Sequence, residues 1–227
     1  MTARSRLFVP GWGAPASLYR RGLPEGWEVL ELPSFRQTGG DLDRYREWLL
    51  EAVDARQHPM TLAGHSMGGA LAVLTAAREP EWVERLILVS PAGLPLAKPL
   101  RRSALTGLGQ ILRGCYPLAA FRRMGANTLS APRAALRLAR DVHDLDLTPE
   151  LQQLHAQGIP CTVVACSSDR LTTCAHCRRV AELVGADYRE LEAPGGHIWV
   201  ITEPERLERE LLGPVTSSGA LGGGRLG

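Results

Sequence analysis

Ser66 is where chemistry can be argued first, because of what surrounds it. Gly64 and Gly68 stand two positions before and two after it, an apolar run (60–63) leads in, and small apolar residues (69–74) lead out. A serine flanked in this way can occupy a strand-to-helix turn too sharp for larger side chains, and such a turn pushes its hydroxyl out over the end of a sheet. The plain alternative is a serine that only caps a tight turn. A serine hydroxyl is a poor nucleophile on its own. It needs a histidine to take its proton and an acid to orient that histidine, and the chemistry of such a set is acyl transfer through an ester formed on the serine.

The chain holds candidates for both partners. His197 lies in Gly195-Gly196-His197-Ile198, on a loop between an expected strand and a helix beginning near Glu203 or Pro204. Such a loop can bring an imidazole back over the sheet's end. His65 adjoins Ser66, but consecutive side chains on a sharp turn point in different directions, so it is expected to pack near the strand end or to hydrogen-bond locally. His58, His143, His155 and His176 read as surface residues. For the acid, Asp169 follows the apolar run 161–166 and falls between serine and histidine in chain order. Asp141, Asp144 and Asp146 are the alternatives, and Asp169 could instead serve as a turn or cap residue.

A developing oxyanion needs fixed donors. One is expected from the backbone N–H of Met67, which opens the helix after the nucleophile. The other is expected from Trp12, whose neighbours Gly11 and Gly13 permit close backbone approach. The Trp12 indole would then line an acyl pocket. A plain Gly-Pro turn is the alternative for this segment.

These residues need a scaffold that gathers strand ends. Short apolar candidates at 6–9, 27–32, 60–63, 86–90, 161–166 and 188–191 alternate with helical patterns at 41–56 and 173–185. Several are apolar nearly throughout, as parallel strands covered on both faces should be. The alternation predicts an α/β layer fold with a mainly parallel sheet flanked by helices. The stretch 91–147 has no strand pattern and reads as short helices interrupted at Gly107, Gly109, Gly114, Pro117, Gly125 and Pro132, an insertion suited to a small helical lid. The expected division is a core of 1–90 and 160–212, a lid and return segment of 91–159, and a tail of 213–227 too rich in glycine and too poor in apolar residues to be ordered.

At this point the chain resembles the α/β-hydrolase superfamily of serine hydrolases. Gly64-His65-Ser66-Met67-Gly68-Gly69 is similar to the family's nucleophile elbow, and Pro10-Gly11-Trp12-Gly13 to its His-Gly oxyanion loop with proline in the histidine's place. Ser168-Asp169-Arg170-Leu171 is similar to the acid loop, and Gly196-His197 to the histidine loop. The family's two leading antiparallel strands have no counterpart, so the resemblance implies a shortened sheet of six parallel strands. It implies Ser66, Asp169 and His197 as catalytic residues and the N–H groups of Trp12 and Met67 as the oxyanion hole. Within the superfamily, Gly-Trp-Gly with a small helical lid resembles the carboxylesterases that cleave pimeloyl-carrier-protein methyl esters.

Charge sharpens the substrate class. Nine basic residues and no acid lie between positions 95 and 140, so the rest of the chain is net acidic within a total of +2. A single-signed field beside an active site draws in anions. Gly11, Trp12, Arg122, Arg123, Met124, Arg133 and Arg137 are the expected substrate-binding residues. The substrate would be a small-molecule acyl ester with an anionic group, or a thioester carried by coenzyme A or an acyl carrier protein. An arginine-rich solvated face is the alternative reading of the same residues. A C–C bond hydrolase and a non-catalytic binding protein are rivals on the same fold.

The expected mechanism needs no cofactor and no metal. Five cysteines are an odd number in a chain this long, which argues against a disulfide framework. Cys174 and Cys177 share the apolar stripe of a helix with Ala181 and Val184 and are expected to pack there. No nucleic-acid motif accompanies the arginines. The apolar start (7–10) is too short for a leader or a membrane span, and a cytoplasmic location is the expectation.

Overall fold

The computed structural model describes residues 4–97 and 118–213, without the side chains of 118–121. Lys98, Arg101, Arg102, Gly107, Gly109, Arg113, Gly114 and Pro117, and the tail beyond 213, lie outside the described residues.

Six strands form one sheet in the order β2-β1-β3-β4-β5-β6. They are β1 (Arg6–Val9), β2 (Glu28–Val29), β3 (Met60–His65), β4 (Val83–Val89), β5 (Cys161–Cys166) and β6 (Asp187–Leu191). Every adjacent pair is parallel. The apolar runs are continuous because alternate residues serve two cores. Leu7, Val9, Leu62, Leu86, Leu88, Val163 and Ala165 enter one core. Phe8, Ala63, Ile87, Val89, Val164 and Cys166 enter the other, beneath Trp199, Leu207 and Leu211.

The edges differ from expectation for physical reasons. β2 is two residues long rather than the six of 27–32. It has one neighbour, and Leu30 N–H still reaches the Phe8 carbonyl as the chain peels away. β4 starts three residues before the apolar run because its charged beginning is satisfied at the sheet's lower rim. There Glu84 accepts from Thr61 and Arg4, and Arg85 donates to the Gly213 carbonyl at 2.7 Å.

The helices are α1 (Phe35–Thr38), α2 (Leu42–Asp54), α3 (Met67–Arg78), α4 (Leu118–Ser130), α5 (Pro132–Asp144), α6 (Thr148–Gln157), α7 (Cys174–Val184), α8 (Trp199–Thr202) and α9 (Pro204–Leu212). Tyr45, Leu49 and Val53 are the buried stripe of α2, and Asp41 caps its first turn. Thr173 caps α7 and Gly185 ends it in the left-handed region. The lid differs from the expected short helices: α4 runs unbroken through Gly125 for 13 residues. A new helix begins only at Pro132, where proline suits a first turn.

The lid helices sit on the segment following β2. Asn127 accepts from the Phe35 N–H at 3.1 Å, and Arg137 reaches Asp41 at 2.8 Å. Gly40 marks how close α5 comes, since a Cβ there would lie 1.9 Å from the Ala134 carbonyl oxygen. Among the described residues, no helix is long and apolar enough to cross a membrane.

Candidate active site

In a parallel sheet all C-terminal strand ends point the same way, and the loops leaving them share one rim. The loops after β1, β3, β4, β5 and β6 carry Gly11 to Gly13, Ser66, Ser90, Asp169 and His197.

Ser66 is held at φ 55° and ψ −120° between β3 and α3. A non-glycine residue in that region costs about 1–3 kcal/mol and persists only where its surroundings enforce it. Here its N–H donates to the Val89 carbonyl, and its own carbonyl accepts from Gly69, Ala70 and Ala92. Its hydroxyl makes no cap to α3, which leaves the turn-capping alternative without support. The flanking glycines are steric necessities. A Cβ on Gly64 would lie 2.3 Å from the Gly68 carbonyl oxygen, and one on Gly68 would lie 2.1 Å from that of Val9. Gly68→Ala is therefore expected to destabilise the fold by about 3 kcal/mol or more, because a backbone oxygen cannot swing aside as a side chain can. Urea denaturation checks this, and a loss below about 0.5 kcal/mol would show slack in the turn.

His197 Nε2 lies 2.9 Å from Ser66 Oγ, and His197 Nδ1 lies 2.8 Å from Asp169 Oδ2. Asp169 is 4% exposed. Its Oδ1 accepts from the N–H groups of Leu171 and Thr172 at 2.8 and 3.1 Å, and its Oδ2 also accepts from the Thr172 hydroxyl at 2.8 Å. Burial alone would raise the pKa of this carboxyl. The His197 charge and hydrogen bond, with the Leu171 and Thr172 donors, outweigh it and hold the group below its ordinary value. A carboxylate that can only accept fixes the proton of His197 on Nδ1, so Nε2 presents a lone pair to the Ser66 hydroxyl. The alternative acids are engaged elsewhere: Asp141 with Arg137, Asp144 with His143 and Asp146 with Thr148.

Among the described residues, no hydrogen bond engages the N–H groups of Met67 and Trp12, the two expected oxyanion donors. The N–H of Gly11 is not free, because it donates to the Tyr19 hydroxyl at 3.1 Å. The loop in which proline replaces histidine is thus braced by Tyr19. The Trp12 ring packs on Phe35 with centroids 4.8 Å apart, and its indole nitrogen is buried without a partner.

Other side chains at this rim carry no sequence signal for their roles. The Ser168 hydroxyl donates to the Ala193 carbonyl and accepts from the Gly196 N–H, clipping the histidine loop to the acid loop. His176, expected at the surface, is half-buried and donates to the Pro91 carbonyl at 3.1 Å. Burial lowers its pKa. His65, expected to pack near the strand end or to bond locally, is buried at the end of β3 and bonds at long range, to Tyr19 and to the His197 carbonyl. Cys177 packs in the core as its stripe predicts, and burial pushes its thiol pKa up.

The substrate-binding candidates scatter. Arg123 lines a cavity of about 400 Å³ with Gly13, Glu31, Ser34 and Asn127, and neither Ser66 nor His197 is among its walls. Arg122 and Arg133 are exposed, while Arg137 is engaged with Asp41 and Asp141. Met124 packs against the core that holds Phe8 and Trp199.

The chain is 32% identical to monoglyceride lipase of Mus musculus over 109 residues, 45% of this chain and 35% of that protein. The match thus spans about a third of that relative's length. Among solved structures, a bacterial membrane phospholipase A superposes with a TM-score of 0.72 at 21% identity, covering 92% of this chain and 77% of the other. The enol-lactonase of Burkholderia xenovorans LB400 superposes with a TM-score of 0.69 at 19% identity, covering 92% and 90%. A sequence model described as the alpha/beta hydrolase family matches residues 7–210. That match runs from β1 into α9, across the whole parallel sheet and the rim that carries Ser66, and this chain belongs to the alpha/beta hydrolase family.

Proposed function

We propose that this chain is a serine carboxylic-ester hydrolase working through an acyl-enzyme on Ser66. The observation that carries the reading is the unbroken line of contacts from Ser66 Oγ to His197 at 2.9 Å and from His197 to Asp169 at 2.8 Å. In the proposed cycle His197 Nε2 takes the hydroxyl proton as Ser66 Oγ attacks the ester carbonyl. The N–H groups of Trp12 and Met67 receive the oxyanion. His197 returns the proton to the leaving alcohol, then deprotonates a water that releases the acid and restores the hydroxyl. Relatives named lipase, phospholipase and lactonase fit attack on a carboxylic ester. Labelling with a fluorophosphonate probe tests the reading: mass spectrometry should find the adduct on Ser66, and an unlabelled protein that hydrolyses no p-nitrophenyl ester would end it.

The preferred substrate in this proposal carries an anionic group, with 91–159 serving as lid and return segment. The likeness to pimeloyl-carrier-protein esterases rests on Gly11-Trp12-Gly13 with a small helical lid, and only its anionic acyl ester is carried forward. Arg123 supports that choice, because its cavity begins at Gly13, next to the proposed oxyanion donor. Arg123→Glu is expected to lower kcat/KM for a carboxylate-bearing ester by about tenfold, the scale of one charge contact, and to leave a neutral ester within about twofold. The wild-type preference for the anionic ester should fall with salt. Arg123 equally suits an acyl thioester on coenzyme A or an acyl carrier protein, and matched ester and thioester rates separate the two leaving groups.

A further inference from the structure

The hydrolysis proposed above leaves unexplained why a tyrosine and a second histidine are buried behind the nucleophile. Tyr19 is 1% exposed and His65 is 4% exposed. The N–H of Gly11 donates to the Tyr19 hydroxyl at 3.1 Å, and that hydroxyl lies 3.0 Å from His65 Nδ1. His65 Nε2 lies 2.9 Å from the carbonyl oxygen of His197. A carbonyl can only accept, so the His65 proton is on Nε2. Nδ1 is then a lone pair, and the Tyr19 hydroxyl must donate to it. The directions agree along the whole line: Gly11 N–H to Tyr19, Tyr19 O–H to His65, His65 N–H to His197 C=O.

We propose that Tyr19 and His65 are positioning residues for the reaction assigned to Ser66, forming a buried relay that ties the Trp12 donor loop to the backbone of His197. The inference rests on that hydrolase reading. One end of the relay fixes the Gly11 amide and so aims the next one, the Trp12 N–H. The other end fixes the main chain that carries the proton-accepting imidazole, whose ring centroid is 4.9 Å from that of His65. The oxyanion-donor loop and the main chain that carries the base thus share one buried support. The relay works only with an uncharged His65. Burial, then the charge of His197, pulls its pKa down to about 3, so it stays neutral wherever His197 can act as a base.

Displacing a catalytic group by about 1 Å can cost a hundredfold in rate, so loosening one arm is expected to cost about tenfold or more. Tyr19→Phe removes the hydroxyl between Gly11 and His65. His65→Gln keeps an amide at the position of Nε2, able to reach the His197 carbonyl, and loses the acceptor for Tyr19. Each variant breaks the same arm. Each should therefore lower kcat about tenfold with KM within about twofold, weaken a trifluoromethyl ketone inhibitor in parallel, and combine in the double variant without further loss. A merely structural pair would instead give losses that follow the thermal midpoint, with kcat per folded molecule unchanged.

Turnover of either single variant within about twofold of wild type, or additive losses, overturns the relay while the hydrolase reading stands. A wild-type protein inert to esters and to a fluorophosphonate overturns the hydrolase reading, and the relay falls with it. If Tyr19→Phe does not fold, His65→Gln carries the same test by its kcat and inhibitor affinity alone.

Discussion

Ser66→Ala is expected to lower turnover of any ester substrate by roughly a thousandfold or more while the protein folds as before, the scale seen when a nucleophile is lost from a set of this kind. The structure separates the two outcomes cleanly. The hydroxyl bonds to His197 Nε2 and caps nothing, so alanine removes the nucleophile and no structural contact of the turn. The unusual backbone conformation is enforced through main-chain bonds to Val89, Gly69, Ala70 and Ala92, all of which alanine keeps. Circular dichroism and the thermal midpoint should match wild type, labelling by a fluorophosphonate should vanish, and affinity for an unreactive substrate analogue should be retained. A variant within about tenfold of wild-type turnover would place the chemistry on another group.

What could be read from residue types depends on whether the cause is local. β1 and β5 coincide with the apolar runs because both faces of each strand are buried, so the pattern and the element have the same limits. β4 begins early because Glu84 and Arg85 look like loop residues until Thr61, Arg4 and Gly213 are known to stand beside them. Gly125 reads as a breaker, yet α4 passes through it with nothing within 4 Å of a would-be Cβ. Glycine weakens a helix without forbidding one.

The same division runs through the candidate site. Ser66, Asp169 and His197 were legible because each follows a strand, and parallel strands deliver their ends to one rim. Thr172 was within reach of the same argument: a threonine three residues after an aspartate can close its turn and take one carboxylate oxygen, as it does here at 2.8 Å. Tyr19 was not. It lies in a short helical turn after β1, and its function depends on His65, 46 residues away. Arg137 has a contact of the same long-range kind: helical spacing joins it to Arg133, while its ion-pair partner Asp41 sits at the start of α2.

Asp169→Asn is the second large effect, and its mechanism is a reversal of direction rather than a loss of contact. The substituted side chain keeps the size of the carboxyl, and its remaining oxygen is drawn to the N–H groups of Leu171 and Thr172, which hold Oδ1 at 2.8 and 3.1 Å. The amide NH2 then faces His197 Nδ1. An NH2 cannot accept a proton, so the imidazole is most stable with its lone pair on Nδ1 and its N–H on Nε2, directed at Ser66 Oγ. The nucleophile is left facing a donor where it needs a base. Turnover should fall by about 10⁴ at neutral pH, the cost of the wrong tautomer in a serine–histidine–aspartate set, with little change in stability. Asp144→Asn, on the exposed rival acid that pairs with His143, should stay within about twofold. If the two variants exchanged these results, the acid would lie in the lid junction and the loop after β5 would be a turn and nothing more.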